Sequence, residues 1–258
     1  MAYINPMRKL LQEKQAIVGA TVLMREPVVT EFLAQYYDYI WLDYEHSWMD
    51  KSTLVDHMIA ARAGGNTPVV IRVPSEFPAP LKAILDMGPA GIVFPMISTV
   101  EQAKTAVAAC TYAPRGVRGY YPQRVCFSYD GTAGDYHSRP EEYVYKILQI
   151  ESKQGVENIE EILQLPGVDC IAVGPADMSC SIGQMLKMDD PELVALLERL
   201  AAAVTKAGIP LMVPAGDPTG VAWWKQRGAR IFFAGSDIGF ILGGAKSYAE
   251  QMRKWMNG

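Results

Sequence analysis

Residues 170–179 read CIAVGPADMS, and this stretch decides which fold the sequence predicts. The first four residues are apolar, as in a parallel strand that is covered on both of its faces. A turn through Gly174 and Pro175 follows, and the carboxylate of Asp177 comes directly after it. An apolar strand that ends at a turn with a polar side chain is typical of one β/α unit.

Seven further apolar runs lie along the chain, and each is followed by a segment with helical periodicity. With 170–173, the predicted strands are 17–22, 39–42, 69–73, 91–94, 146–150, 210–213 and 231–234. The predicted helices that follow are 28–35, 51–63, 79–87, 100–109, 157–165, 191–207, 219–227 and 238–256. Eight such repeats predict an α/β protein, a (β/α)₈ TIM barrel that forms a single domain over residues 1–258. A short amphipathic helix within residues 1–15 precedes it. A doubly wound open sheet is the alternative, weakened because no GxGxxG follows the first strand.

Charge and composition exclude several classes of protein. Lys and Arg total 24 against 28 for Asp and Glu, so the chain lacks the basic excess of a nucleic-acid-binding protein. No segment approaches the roughly 18 consecutive apolar residues of a membrane-spanning helix. The first residues lack the apolar core of a signal peptide, and the four cysteines form no CxxC pair. We therefore expect a cytoplasmic protein with reduced thiols and neither nucleic-acid nor membrane partners.

Polar side chains cluster where the predicted strands end, which is where (β/α)₈ enzymes carry their catalytic groups. Asp43-Tyr44-Glu45-His46 follows the second strand, and Arg72 lies in the third. Gln149-Ile150-Glu151 ends the fifth strand, and Gly174-Pro175-Ala176-Asp177 follows the sixth. Two carboxylates, an imidazole and a guanidinium are thus predicted to face the same end of the barrel.

Glu151 and Asp177 are candidate metal ligands because they end adjacent strands, which lie about 4.8 Å apart. Ligation by a few carboxylates, completed by water and substrate, suits Mg²⁺ or Mn²⁺. The alternative is an ordinary salt bridge at the barrel rim. Among the three histidines, His46 is the candidate general base, since imidazole titrates near neutral pH. Arg72 could clamp a carboxylate or an enolate oxygen, or simply pair with Asp43.

Two further features are open to more than one interpretation. The turn at 174–176 could bind a small carboxylate through its backbone N–H groups. The stretch 112–145 is rich in Tyr, Gly and Pro and interrupts the strand–helix rhythm. A segment of this length is either functional or packs against a neighbouring subunit.

Taken in order, the motifs resemble those of the HpcH/HpaI aldolase family from about residue 5 to 255. The matching pieces are Asp-Tyr-Glu-His, Ile-Arg-Val, Leu-Asp-Met-Gly, Phe-Pro-Met, Arg-Gly-Val-Arg-Gly, Gln-Ile-Glu and Gly-Pro-Ala-Asp-Met-Ser. The resemblance implies a class II pyruvate aldolase or related lyase on a (β/α)₈ barrel. It also implies a hexamer, built as a trimer of dimers, in which the C-terminal helix is exchanged between subunits.

The resemblance implies a role for each matching residue. Glu151 and Asp177 would hold a divalent metal, Mg²⁺, Mn²⁺ or Co²⁺, with no organic cofactor. His46 would be the acid/base, acting through a metal-bound water and paired with Asp86, and Arg72 would stabilise a pyruvate enolate. Gln149 and the turn formed by Gly174, Pro175, Ala176 and Asp177 would contact the pyruvate side of the substrate. Asp43 would order Arg72. Arg124 would also contact the substrate.

The implied reaction is cleavage of a 4-hydroxy-2-oxo acid to pyruvate and an aldehyde. Residues 120–126, which border the aldehyde pocket in the family, depart from its usual pattern, so the aldehyde is undefined. The alternatives are oxaloacetate decarboxylation, a barrel that binds 2-oxo acids without catalysis, and acyl-CoA cleavage. A CoA substrate would require a basic cluster at the barrel mouth, for which the sequence offers Arg115, Arg118 and Arg124.

Overall fold

A computed structural model describes residues 3–128, 136–137 and 139–257 of the chain. Eight parallel strands pair in chain order, and β8 pairs with β1, so the sheet closes into a barrel. The strands are β1 (Ile17–Val22), β2 (Tyr39–Asp43), β3 (Val69–Arg72), β4 (Gly91–Phe94), β5 (Tyr145–Ile150), β6 (Cys170–Val173), β7 (Leu211–Pro214) and β8 (Ile231–Ser236). The predicted (β/α)₈ barrel is confirmed, with strand ends that differ from prediction by at most two residues.

Helices surround the barrel, and those between two strands return the chain from the carboxyl end of one strand to the amino end of the next. They are α1 (Pro6–Glu13), α2 (Pro27–Leu33), α3 (Lys51–Gly65), α4 (Pro78–Met87), α5 (Val100–Ala109), α6 (Gln123–Ser128), α7 (Lys153–Glu157), α8 (Ile159–Leu163), α9 (Pro175–Ser181), α10 (Pro191–Lys206), α11 (Pro218–Gln226) and α12 (Asp237–Asn257). Side-chain caps fix several of their starts. Asp50 accepts from the N–H of Thr53, and Thr99 forms a capping box with Gln102.

Three helical segments differ from the prediction. In place of the single helix expected over 157–165, the chain forms two short helices, α7 and α8, that meet at Asn158. The side-chain amide of Asn158 donates to the carbonyl of Ser98. The turn after β6 continues as α9, and α6 lies inside the stretch expected to be a loop. Both missed helices are short, and periodicity is a weak signal over so few residues.

The amino end of the barrel is closed by α1. Met7 is fully buried, and Leu11 packs with it against the inward-facing side chains of the strands. The buried amide of Asn5 donates to the carbonyls of Ala90 (2.8 Å) and Tyr143 (3.1 Å), which ties the start of α1 to β4 and β5. The predicted N-terminal helix is therefore confirmed as a plug of the barrel floor.

The same end of the barrel buries an ion-pair network. Lys146 is 3% exposed and lies 3.1 Å from Asp169, which also pairs with Arg8 of α1 at 2.7 Å. Burying a charge requires such partners. Lys146 thus lies opposite the carboxyl ends of the strands and serves structure.

The described part of the Tyr-rich stretch 112–145 also packs near this end. Tyr136 and Tyr143 are buried together with Val125, and the ring of Tyr143 stacks on Tyr3 at 3.8 Å. Residues 129–135 and 138 lie outside the described residues. These contacts favour a packing role for the described part of this stretch over a role at the mouth.

The C-terminal helix α12 leaves the barrel after β8 with a largely exposed surface. Its exposed apolar side chains include Phe240, Ile241, Leu242, Tyr248, Trp255 and Met256. Among the described residues, none of the helices has the length and apolar character that crossing a membrane requires.

Candidate active site

The turn after β2 is organised by Asp43, the last residue of that strand. Its carboxylate is 1% exposed, and Oδ1 accepts from the backbone N–H groups of Glu45 (3.1 Å) and His46 (3.3 Å). A short acidic side chain that bonds to the backbone two and three residues ahead stabilises a tight turn. The turn brings the side chains of Glu45 and His46 beside β3.

Arg72 ends β3 next to this turn, because Asp43 and Arg72 are paired in the β2–β3 register. Its guanidinium binds both oxygens of Asp43: Nε donates to Oδ1 at 3.1 Å and Nη2 donates to Oδ2. It also lies over the ring of Trp41, with 5.6 Å between Cζ and the ring centroid. Asp43 therefore orients Arg72, and the guanidinium is held by two hydrogen bonds.

Glu45 contacts both Arg72 and His46, although sequence reasoning assigned it no role. Its Oε2 lies 3.2 Å from Arg72 Nε and 3.4 Å from His46 Nε2. The side chain is 17% exposed, whereas that of His46 is 63% exposed. Its position two residues after Asp43 was the available signal, because the turn that brings His46 to the site must also bring Glu45.

Glu151 follows β5 and is buried at 2% exposure. Its Oε1 accepts from the backbone N–H of Met96 (2.7 Å), and its Oε2 accepts from the amide of Gln149 (2.6 Å). Met96 has a positive φ of 54°, a conformation uncommon for a residue other than glycine. Met96 adopts this uncommon conformation where its N–H donates to Glu151. Holding Glu151 is therefore the structural role of Met96 in the Phe-Pro-Met motif.

Gly174 lets the chain pass close to Glu151. A Cβ at this position would lie 2.3 Å from Glu151 Oε2 and 2.7 Å from its Cβ, so a side chain cannot fit. The next residue, Pro175, begins α9, and Asp177 is exposed in its first turn. The first N–H groups of a helix, here those of Ala176 and Asp177, have no carbonyl partner within the helix.

Two acidic side chains of the site have raised pKa values. The pKa of Glu151 is raised to about 7, mainly by burial, with the negative charges of Asp177 and Glu45 adding to the shift and the hydrogen bonds from Met96 and Gln149 opposing it. Burial also raises the pKa of Glu45, with Arg72 and His46 opposing the shift and Asp43 and Asp177 adding to it. The three carboxylates of Glu45, Glu151 and Asp177 therefore lie near enough to share one electrostatic environment.

Two predicted site residues lie elsewhere in the chain. Asp86 is in the last turn of α4, towards the amino end of the barrel, with its Oδ1 3.8 Å from Arg118 Nη2. In the described chain its charged neighbour is thus Arg118, whereas that of His46 is Glu45, so the expected Asp86–His46 pair does not form within one chain. Arg124 lies in α6, where burial lowers its pKa and the charge of Arg62, near the end of α3, adds to the shift.

Comparison with known proteins identifies the family. A model of the HpcH/HpaI aldolase/citrate lyase family matches residues 22–242. The chain belongs to this family. It is 30% identical over 251 residues to a 5-keto-4-deoxy-D-glucarate aldolase of Shigella boydii serotype 18, with 97% of each chain covered.

Solved structures agree with this family assignment. An HpcH/HpaI aldolase/citrate lyase family protein from Burkholderia cenocepacia J2315 superposes with a TM-score of 0.88 at 28% identity, over 96% of this chain and 99% of that one. An HpcH/HpaI aldolase from Desulfitobacterium hafniense DCB-2 shares the fold, with a TM-score of 0.86 at 23% identity and 96% of each chain covered. The prediction of a carbon–carbon lyase is confirmed at the level of the family.

The donor set of this HpcH/HpaI barrel fits a divalent cation. Glu151 is a buried carboxylate whose pKa is raised by burial and then by other acids, and each of its oxygens has one protein donor. Gln149 is 3% exposed, and its Oε1 has no hydrogen-bond partner among the described residues. Within the described residues, no group of three or more His, Cys, Asp or Glu side chains is arranged to hold a metal ion. Glu151 and Asp177 would therefore be the only two protein ligands from that part of the chain.

Proposed function

We propose that this protein cleaves a 4-hydroxy-2-oxo acid to pyruvate and an aldehyde with the help of a divalent metal. The proposal rests on one observation: four side chains lie at the carboxyl ends of β2, β3, β5 and β6, namely His46, Arg72, Glu151 and Asp177. The charge of Asp177 raises the pKa of both Glu45 and Glu151, and the charge of Glu45 raises that of Glu151, which supports their closeness. Such a set combines a cation site, a fixed guanidinium and a base that reaches solvent.

Glu151 and Asp177 would hold the metal, Mg²⁺, Mn²⁺ or Co²⁺. When bound, it would supply Lewis-acid polarisation of the 2-oxo group. Gln149 would contact the pyruvate side of the substrate from the barrel interior, beside Glu151, to which its amide donates. The backbone N–H groups of Ala176 and Asp177, in the turn that begins with Gly174 and Pro175, would receive the carboxylate, because the first N–H groups of α9 have no carbonyl partner within the helix.

The bond-breaking step follows from the positions of His46 and Arg72. His46 takes the proton of the 4-hydroxyl, the C3–C4 bond breaks, and the electron pair remains on the pyruvate fragment as an enolate. Arg72, fixed by Asp43, offers donors to the enolate oxygen, and such preorganised donors stabilise charge that develops in a transition state. A proton returned to C3 completes pyruvate, and the other product is the aldehyde.

The structure weighs against an acyl-CoA substrate. The three arginines that a CoA site would need do not lie together at the mouth. Arg118 has a fully buried side chain beside Asp86, and Arg115 pairs with Glu141 just before β5. The relative named above is a 5-keto-4-deoxy-D-glucarate aldolase, so we propose a polar, hydroxylated or carboxylated aldehyde fragment for this protein.

We also propose that the protein is a homo-oligomer, a hexamer of the family type. The exposed apolar residues of α12 support this, since monomers rarely expose so many large apolar side chains on one element. In such an assembly, Asp86 and Arg124 could reach the chemistry only from a second subunit. Size-exclusion chromatography with light scattering tests the assembly directly.

Product analysis tests the proposed reaction. The protein is incubated with pyruvate, an aldehyde panel and Mg²⁺, Mn²⁺ or Co²⁺, and the products are identified by mass. We expect adducts of pyruvate with polar aldehydes, lost in EDTA and in Glu151→Ala and Asp177→Ala. Glu157→Ala, which removes an exposed carboxylate of α7, is the matched control. Pyruvate release that EDTA leaves unchanged would contradict the proposal.

A further inference from the structure

Residues 96–98, which follow β4, carry the backbone contact that holds the buried carboxylate of the candidate site. Met96 N–H donates to Glu151 Oε1 at 2.7 Å, and Ile97 N–H donates to the carbonyl of Gln149 at 3.1 Å. Met96 makes its contact at a φ of 54°, which a residue with a side chain seldom adopts. Such a conformation persists only where the surrounding structure enforces it. Further contacts must therefore hold residues 96–98 in place.

Those contacts come from the two short helices that follow β5. The side-chain amide of Asn158, at the junction of α7 and α8, donates to the carbonyl of Ser98 at 2.8 Å. The hydroxyl of Ser98 lies 2.6 Å from that of Ser152, which caps the start of α7. Gly155 lets α7 come close, since a Cβ there would lie 2.8 Å from the carbonyl oxygen of Ile97. The two helices therefore hold residues 96–98 by both the main chain and the side chain of Ser98.

We propose that Asn158 is a positioning residue of the cation site. Through Ser98 it holds residues 96–98 in the conformation that directs the Met96 N–H to Glu151, and it orients this carboxylate without touching it. Hydrogen-bond partners of a metal ligand orient the ligand, and their loss typically weakens metal affinity by about tenfold to a hundredfold. The inference rests on the proposed function for the metal. The effect of Asn158 on Met96 does not depend on it.

A purely structural role of Asn158 predicts a different result. Its loss would then lower the free energy of unfolding and leave the affinity for a cation unchanged. The chain offers a matched control, because Asn5 also donates its side-chain amide to a backbone carbonyl at 2.8 Å, that of Ala90. Asn5→Ala and Asn158→Ala thus remove the same kind of contact, the first at the closed end of the barrel and the second at the end that carries Glu151.

Calorimetric titration of the full chain with Mg²⁺, without substrate, is the first test. We expect Asn158→Ala to raise the dissociation constant by about tenfold, and Asn5→Ala to leave it within about twofold of the wild type. Ser98→Ala, which loses only the hydroxyl contact with Ser152, should raise it by a smaller factor and serves if Asn158→Ala does not fold. Wild-type affinity in a folded Asn158→Ala, or in Ser98→Ala where only that variant folds, would overturn the proposal. Equal losses in Asn158→Ala and Asn5→Ala would do the same.

Amide hydrogen exchange of the metal-free protein is the second test, and it requires neither a metal nor turnover. Mass spectrometry of the peptide that contains residues 96–98 measures how firmly their N–H groups are held. In Asn158→Ala we expect these groups to exchange about tenfold faster, whereas Asn5→Ala should exchange there as the wild type does. Unchanged exchange in Asn158→Ala would show that Asn158 does not hold Met96.

A double-mutant cycle tests whether Asn158 acts through Met96. Glycine adopts a positive φ readily, so in Met96→Gly the conformation no longer has to be enforced. The factors by which Asn158→Ala and Met96→Gly change the dissociation constant of Mg²⁺ should therefore not multiply in the double variant. Factors that multiply would mean that Asn158 acts by another route, and the proposal would be wrong.

The two proposals fail separately. If the wild-type protein binds none of Mg²⁺, Mn²⁺ and Co²⁺, the proposed function fails, and exchange at residues 96–98 alone decides whether Asn158 holds Met96. If the wild type binds a metal and Asn158→Ala binds it equally well, only the role of Asn158 fails. Urea unfolding of each variant confirms that affinity and exchange are measured on a folded protein.

Discussion

Replacing Glu151 by Gln should stabilise the metal-free protein at alkaline pH, although it removes a metal ligand. Burial raises the pKa of this carboxyl from 4.5 to about 7, with Asp177 and Glu45 adding to the shift. The folded state therefore holds a proton that the unfolded chain releases. For a group whose pKa is raised by folding in this way, stability falls as pH rises from about 4.5 to about 7.

The expected size follows from the shift itself. A pKa raised from 4.5 to about 7 corresponds to about 3 kcal/mol of free energy of unfolding, lost once Glu151 is ionised. The glutamine side chain of the variant is neutral and does not ionise, so the variant keeps this contribution. Its carbonyl can accept from Met96 N–H, and Gln149 can rotate its unpartnered Oε1 towards the new amide.

The assay is urea unfolding in EDTA at several pH values between 5 and 8.5, at one protein concentration. The difference in free energy of unfolding, Glu151→Gln minus wild type, should grow by about 3 kcal/mol over the range in which Glu151 ionises. Other groups titrate equally in both proteins and cancel. Glu157→Gln, an exposed carboxylate, should show no such growth.

A constant difference across this pH range, or one that shrinks with pH, would refute the reasoning about Glu151. Added Mg²⁺ provides a second comparison. At a hundred times its dissociation constant, a ligand specific for the folded state adds about 2.7 kcal/mol. We expect this gain in the wild type at pH 8 and its absence in Glu151→Gln.

Three other changes test the site and its support. Gly174→Ala should abolish metal binding and activity, because the new Cβ would lie 2.3 Å from Glu151 Oε2. Gly216→Ala is the control, since a Cβ there has no atom within 4 Å, and calorimetric titration with Mg²⁺ compares the two variants. Asn5→Ala should destabilise the protein by about 2 kcal/mol in urea unfolding, since two backbone carbonyls lose their buried donor. Arg72→Lys should lower kcat far more than it lowers stability, because an ammonium cannot reproduce the paired contact with a carboxylate; wild-type kcat would contradict that role.

The sequence predicts the barrel well because its pattern is physically strong. Strands such as β4 and β6 are buried at every position, so they appear as uninterrupted apolar runs. The carboxyl ends of these strands share one end of the barrel, which is why the approximate positions of Glu151, Arg72 and His46 follow from chain order alone. Short helices such as α9 carry no comparable signal, because seven residues cover barely two turns.

The sequence predicts where a site residue lies better than it predicts which side chain that residue contacts. The family pattern pairs His46 with Asp86, but α4 carries Asp86 towards the opposite end of its own barrel, where Arg118 meets it. The contact that His46 does have depends on a turn held by Asp43 Oδ1, and no periodicity encodes it. Residue type and spacing can name the groups of a site, but only the backbone decides which of them touch.

The acidic end of this barrel also shows why the site cannot be optimised for stability alone. Glu151 is buried near Asp177 and Glu45, and these charges raise its pKa rather than lower it. The neighbouring guanidinium of Arg72 is bound by Asp43 and Glu45. The negative charge at Glu151 is thus left for a bound cation to neutralise. A barrel that kept these carboxylates only for structure would be more stable with glutamine in place of Glu151. The stabilisation by Mg²⁺ in the wild type, and its absence in Glu151→Gln, therefore separates a metal-binding role of Glu151 from a structural one.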